Sequence, residues 1–162
     1  MNMVSLCPMT REMCHEFYQG FQNDPAIFMD MSRFSEYEYT PEKVDRYFEE
    51  NIIPSRRLFA IVVDGRIVGE CKLKYIDFDA MECSAGIHLL DDNVKGRGYG
   101  TEAERLLLRY AFEELGVVAV NADAVLKNTR SQHVMEKVGF RYVREDETFK
   151  YYRCERADYV SQ

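Results

Sequence analysis

Apolar residues recur along this chain in two rhythms, a helical one and a strand-like one, and the changes between them mark its elements. Residues 4–7 read as a short strand ended by Pro8, after which Thr10 caps a helix carrying Met13, Phe17 and Phe21. Residues 23–39 follow neither rhythm and are rich in aromatics and methionine. Thr40-Pro41 opens a second helix, with proline at the first position, where an N–H is not needed. Its apolar face is Val44, Tyr47, Phe48 and Ile52, and Pro54 closes it. Residues 58–63 and 66–75 are β-branched-rich runs joined by Asp64-Gly65, a type I′ hairpin signal. A further strand over 81–90 leads to a helix over 101–115, with Thr101 and Glu104 in capping-box positions and Gly116 as its stop. A buried strand over 117–126, a helix over 129–138 stopped by Gly139, and an antiparallel pair over 140–144 and 149–154 complete the chain. This order predicts a mixed α/β domain with a central twisted sheet of about six to seven strands flanked by about four helices. The strands on either side of the 101–115 helix should run parallel.

Between the strand and that helix lies D-D-N-V-K-G-R-G-Y-G-T-E-A-E, residues 91–104. Glycines at 96, 98 and 100 let backbone N–H groups approach a ligand, and the helix start adds unpaired donors and the positive end of its dipole. Such a cradle suits phosphate, with Lys95 and Arg97 at its rim. A plain glycine-rich turn would look the same on this stretch alone. The nucleoside-triphosphate loop is excluded because G-K-[ST] is absent, and the dinucleotide fingerprint because Arg97 and Thr101 stand where a third glycine is needed.

Composition narrows the classes further. A chain of 162 residues with 46% hydrophobic and 30% charged residues is most simply one soluble domain. No apolar run is long enough to span a bilayer and no secretory signal stands at the start, so no membrane partner is expected. Five scattered cysteines without a C-x-x-C pair indicate neither a metal site nor a disulfide framework, and read as reduced thiols in the cytoplasm. A net charge of −7 argues against nonspecific nucleic-acid binding. The acidic excess is densest over residues 36–50, which suits either a cationic partner or a solvated face.

Three stretches taken together carry a family resemblance: K95-G-R-G-Y-G-T-E-A103, N128-T-R-S131 and M135-E-K-V-G-F140. In order and spacing they resemble the GNAT superfamily of acetyl-CoA-dependent N-acyltransferases, and within it the RimJ/RimL-like branch. The resemblance covers essentially the whole chain. It implies one acetyltransferase domain, with residues 1–56 as acceptor-side helices and 57–162 as the cofactor-binding core. Acetyl-CoA would be the cosubstrate and a primary amine the acceptor, with no metal. The amine would be a polyamine-like or aminoglycoside-like small molecule or a protein N-terminus, and homodimerisation stays open.

The resemblance also implies roles. Lys95, Gly96, Arg97, Gly98, Tyr99, Gly100 and Thr101 would hold the pyrophosphate. Main-chain groups of His88, Leu89 and Leu90, at the end of a splayed strand, would pair with the pantetheine arm, and an N–H there would face the thioester oxygen. Asn128 would orient the cofactor, although it equally suits a helix N-cap. Many relatives reprotonate the thiolate with a tyrosine where this chain has Met135. The resemblance to this branch implies Ser131 as the nearby substitute acid and as a cofactor contact, although a small polar residue on a helix's first turn would look the same. Many place a glutamate where this chain has Ser84. Glu82 and His88 share the strand parity of Ser84, so either could serve as base, directly or through water. Met135 and Ser84 also leave room for another class, a catalytically silent CoA-binding module.

Overall fold

The computed structural model describes residues 3–159. Its core is a seven-stranded sheet built from β1 (Val4–Pro8), β2 (Arg57–Val63), β3 (Arg66–Asp77), β4 (Glu82–Leu89), β5 (Ala119–Val125), β6 (Arg141–Glu145) and β7 (Phe149–Glu155). The spatial order is β1-β2-β3-β4-β5-β7-β6. Every neighbouring pair is antiparallel except β4 and β5, which are joined by the crossover helix α3 (Tyr99–Arg109) and run parallel as expected. Helices α1 (Arg11–Gly20) and α2 (Pro41–Asn51) complete one layer, and α4 (Thr129–Val138) joins α3 in the other.

Strand alternation builds a core on each face of the sheet. Along β2, Phe59, Ile61 and Val63 pack towards Leu107, Leu108 and Phe112, whereas Leu58 and Ala60 pack towards Phe17, Tyr18 and Val44. The caps are local. Thr10 Oγ1 accepts from the Met13 N–H and Thr40 Oγ1 from the Lys43 N–H. Asp64 and Gly65, at φ 51° and 76°, form the hairpin turn that their sequence announces.

Two expectations fail at helix ends. Thr101 does not cap α3: the helix starts two residues earlier, at Tyr99, and Gly98 caps it in the left-handed region at φ 83°. With the start displaced, Glu104 falls on the inward face and is buried instead of capping. Ile52 is 58% exposed, because α2 ends at Asn51 and the residue leaves the helical face.

The feature that positions the site is a split in the sheet. β4 and β5 pair only at Glu82↔Ala119, Cys83↔Val120 and Ser84↔Asn121, and then diverge. Beyond Ser84, β4 keeps β3 as its neighbour through Gly69↔Leu89. There the strands are pinched: a Cβ on Gly69 would lie 2.7 Å from the His88 carbonyl oxygen, so only glycine fits.

Candidate active site

The split leaves a bare strand edge. Met81 O accepts from Val118 N (2.7 Å) towards β5, and Leu90 N donates to Val68 O (2.8 Å) towards β3. Because a strand's main-chain groups alternate sides, odd-numbered residues of β4 face β5. Past Ser84 no strand meets them, and the N–H and C=O groups of Ile87 and Leu89 turn to the gap. This corrects two expectations. The main chain of His88 faces β3, and Leu90 is doubly engaged, since its carbonyl accepts from Gln22 N (3.0 Å) as well.

A cleft of about 980 Å³ opens at this edge. One wall is the start of α3, where Gly96, Gly98, Tyr99, Gly100 and Thr101 line the opening. Positive φ at Gly96 (73°) and Gly98 (83°) folds the loop tightly into the helix. The opposite wall is the start of α4, held by two polar side chains. Asn128 Oδ1 caps the helix by accepting from Ser131 N (3.1 Å), and buried Gln132 donates to the carbonyls of Val125 and Leu126. Asn128 and Ser131 both line the cleft. Asn128 is therefore the helix cap, and its Nδ2 remains to reach a ligand. Met135, by contrast, is 2% exposed in the core and turned away from the opening.

The basic rim differs from expectation. Lys95 lines the cleft, but its ammonium pairs with Asp24 (2.9 Å) and Asp92 (3.2 Å), tying the loop to the segment after α1. Arg97 stays outside, its Nε bonded to the Asn93 carbonyl (2.8 Å). Lys127 and Arg130, which sequence reasoning passed over, line the cleft instead.

Of the two candidate bases, the structure brings only His88 to the cleft. Its imidazole opens into the cavity and meets the Phe21 ring edge-on at 6.0 Å. Surrounding protein desolvates the imidazolium and holds its pKa below the ordinary histidine value. Glu70 opposes this, while Lys72, Lys74 and Lys95 add to it. His88 is exposed at the cleft's mouth, and the lowered pKa favours the neutral ring, the form that can accept a proton. Glu82 sits at the far end of β4, away from the cleft, where Arg153 grips both its oxygens (2.8 and 3.0 Å). Those bonds hold its carboxyl below the usual range, which suits a structural ion pair and not a base. Cysteine chemistry is not favoured either, because burial pushes the thiols of Cys14, Cys71, Cys83 and Cys154 up.

The acceptor side comes from the N-terminal half. Tyr18, Phe21, Tyr37 and Tyr47 line it in mutual ring contact, with centroids 5.3 or 5.5 Å apart. The acidic residues Glu36, Glu38, Glu42, Asp45, Glu49 and Glu50 are not among the lining. They lie on the outer surface, with Asp45 and Glu49 paired to Arg11. A residue with no sequence signal sits beneath the tyrosines. Glu70, fully buried on β3, accepts from Tyr18 Oη (2.6 Å) and Tyr47 Oη (2.8 Å).

A linear, amide-bearing ligand ending in a pyrophosphate fits what is present. The main chain of Ile87 and Leu89 would pair with its arm, and the amides at the start of α3 would take the phosphates. Lys127, Arg130 and Asn128 stand at the opposite wall.

A split mixed sheet with a glycine-rich helix start beside the opening defines the acetyltransferase type of domain. The chain belongs to the acetyltransferase (GNAT) domain family, whose model matches residues 4–141. The Bacillus subtilis (strain 168) protein YjcK, named a probable N-acetyltransferase, is 32% identical over 108 residues, which is 67% of this chain and 55% of YjcK. YdaF of the same organism, provisionally named a ribosomal N-acetyltransferase, is 33% identical over 109 residues, 62% of this chain and 58% of its own. The matches thus span little more than half the length of these relatives. Among solved structures, a spermidine N-acetyltransferase from Vibrio cholerae, in complex with CoA and spermine, shares the fold with a TM-score of 0.79. It covers 98% of both chains at 16% identity.

Proposed function

We propose that the chain transfers the acetyl group of acetyl-CoA to a primary amine by direct attack. The observation that carries this is the bare edge of β4, vacated by β5 beside the glycine-rich start of α3. Bound there, acetyl-CoA supplies an activated acyl group as its thioester. The N–H of Ile87 or Leu89 is placed to donate to the carbonyl oxygen as charge develops on it. His88 takes the proton that the acceptor ammonium must lose before it can attack. Ser131, across the cleft at the start of α4, is the hydroxyl available to reprotonate the leaving thiolate. The five free cysteines, four of them buried, agree with a reducing, cytoplasmic setting.

Charge narrows the acceptor. Besides histidine, the charged lining among the described residues is Lys43, Lys95, Lys127 and Arg130 against Asp24, with Glu104 buried and its carboxyl pushed up to about 8. A polyamine such as those bound by the Vibrio cholerae protein would find few carboxylates here. An acceptor with a single ammonium among aromatic rings fits better, and a protein N-terminus, as in the RimJ/RimL-like branch, is of that kind.

The first test is thermal unfolding with and without acetyl-CoA, on the wild type and on Gly100→Glu. Position 100 is helical, lines the cleft and has room for a Cβ, so the variant should fold while placing a carboxylate against the phosphates. Acetyl-CoA should raise the wild-type midpoint and leave the variant unmoved. Release of free thiol should then follow with a peptide bearing a free N-terminus and exceed that with spermidine. An unmoved wild type at saturating acetyl-CoA would overturn the reading. A shifted midpoint with no thiol release from any amine would favour the silent CoA-binding module, for which Met135 and Ser84 leave room in place of the tyrosine and glutamate of many relatives.

A further inference from the structure

Glu70 is the most expensive group in the acceptor half of the molecule. Its side chain is wholly buried, and its Oε1 takes both tyrosine hydroxyl protons, one from α1 and one from α2. Oε2 is shut off from solvent with no hydrogen-bond partner, although an unsatisfied buried oxygen costs about 1–3 kcal/mol. Lys72, two residues along the same strand face, does not relieve it; its ammonium goes to Tyr47 Oη (3.1 Å). In register, Glu70 lies directly opposite His88, so the two side chains stand on one face of the sheet.

The consequence concerns the direction of protons. A phenol whose hydrogen is committed to a carboxylate behind it shows only lone pairs in front. Tyr18 and Tyr47 both line the cleft in that state. The protein's own ammonium groups show what such rings accept. Lys72 docks on the Tyr47 oxygen and lies over its ring at 5.0 Å, and Lys43 lies over Tyr37 at 4.2 Å. Tyr47 is thereby partly used by Lys72, and the Tyr18 hydroxyl, which also interacts with that of Tyr47, has its proton on Glu70 and keeps a lone pair for a cation.

We infer that Glu70 is a positioning residue that locks Tyr18 and Tyr47 as hydrogen-bond acceptors, and that the Tyr18 oxygen receives the ammonium group of the acceptor beside His88. The docked R–NH₃⁺ then gives one proton to an imidazole nitrogen: an N–H bond of the ammonium breaks, an N–H bond of His88 forms, and the neutral amine keeps its lone pair for attack. This inference rests on the proposed amine acetylation for its meaning, but its docking step does not require turnover.

The test is titration calorimetry with CoA present, using a short peptide with a free N-terminus and the same peptide N-acetylated. The wild type should bind the free form about tenfold or more tightly than the acetylated one, the size expected for a hydrogen bond to a charged group. Glu70→Gln should erase that preference while keeping the acetyl-CoA-induced midpoint shift. Tyr18→Phe, which leaves a ring of the same shape, should do so too and guards against a folding defect at position 70. In turnover, both should raise KM for the amine while kcat stays within about threefold, since ground-state and transition-state binding are lost together. A wild type that does not distinguish the two peptides, or a folded Glu70→Gln and Tyr18→Phe pair that still does, overturns the inference. Discrimination without thiol release leaves the docking role standing and removes only the acetyl transfer.

Discussion

Glu104 offers a sharp test, because its position and its chemistry conflict. It lies on the inward face of α3, 6% exposed, lining the cleft with no hydrogen bond among the described residues. Desolvation pushes its carboxyl up from 4.5 to about 8. A folded-state value above the unfolded one means that the folded chain keeps a proton the unfolded chain releases. Stability from this group is complete below about pH 4.5 and is lost as pH rises towards 8. At about 1.4 kcal/mol per pH unit, the loss is on the order of 3 kcal/mol at pH 7 and 5 kcal/mol above pH 8. Glu104→Leu keeps the volume and removes the ionisation. Urea unfolding of wild type and variant at pH 5, 6, 7 and 8 should show a stability difference that widens in favour of leucine by roughly 4 kcal/mol across the series. In a chain of this length each kcal/mol moves the melting midpoint by about 2–4 °C, so a thermal scan would see it too. Taking the difference cancels every titration the two chains share. Parallel pH profiles would refute the reasoning: the carboxyl would then be solvated through the cleft or paired in a way the packing does not indicate.

Two further outcomes bear on the proton path. His88→Gln should lower kcat/KM by about 10²–10⁴, the usual share of a general base, without changing the acetyl-CoA midpoint shift. In the wild type, the acid limb of kcat/KM should lie below the ordinary histidine pKa, because the effect of Glu70 is outweighed by desolvation and by Lys72, Lys74 and Lys95. A limb at or above the ordinary value counts against this account of His88. Glu82→Gln should leave turnover within about twofold and cost at most about 1 kcal/mol, since the pair with Arg153 is about one-third exposed. A loss of activity near that of His88→Gln would return Glu82 to the mechanism.

What the chain discloses in advance is what neighbours in sequence decide. Thr10, Thr40, Asp64-Gly65 and Gly139 act within a few residues of themselves, and each does in the structure what its position announces. The parallel pairing of β4 and β5 follows from a crossover rule that is nearly as local. The misreadings come from distance. The grip of Arg153 on Glu82 spans 71 residues, and Glu70 meets tyrosines 52 and 23 residues away. The tie from Leu90 to Gln22 joins the end of one layer to the sheet, and no periodicity contains it. At α3 the local signal itself misled. Thr101 and Glu104 have capping-box spacing, but Gly98 ends the loop by backbone conformation alone and claims the cap first. The acidic run over residues 36–50 was visible as charge, but its direction was not: the exposed segment before α2 and the polar face of α2 carry it outwards, away from the cleft that the aromatic residues enter.

The break between β4 and β5 also limits what can lie in it. Among the described residues seven strands are present, yet for residues 85–89 of β4 the sheet lacks the neighbour that would make it continuous. Whatever fills that place has to behave as a strand without being one. It must be extended, carry amide donors and acceptors near peptide spacing, and bear no bulky branches, because Ile87 and Leu89 already occupy the space beside it. A slender arm with two amides meets that description better than a peptide does. On the proposed function, the cosubstrate would be read first by backbone grammar and only afterwards by charge, and the finished sheet would be a hybrid of polypeptide and small molecule.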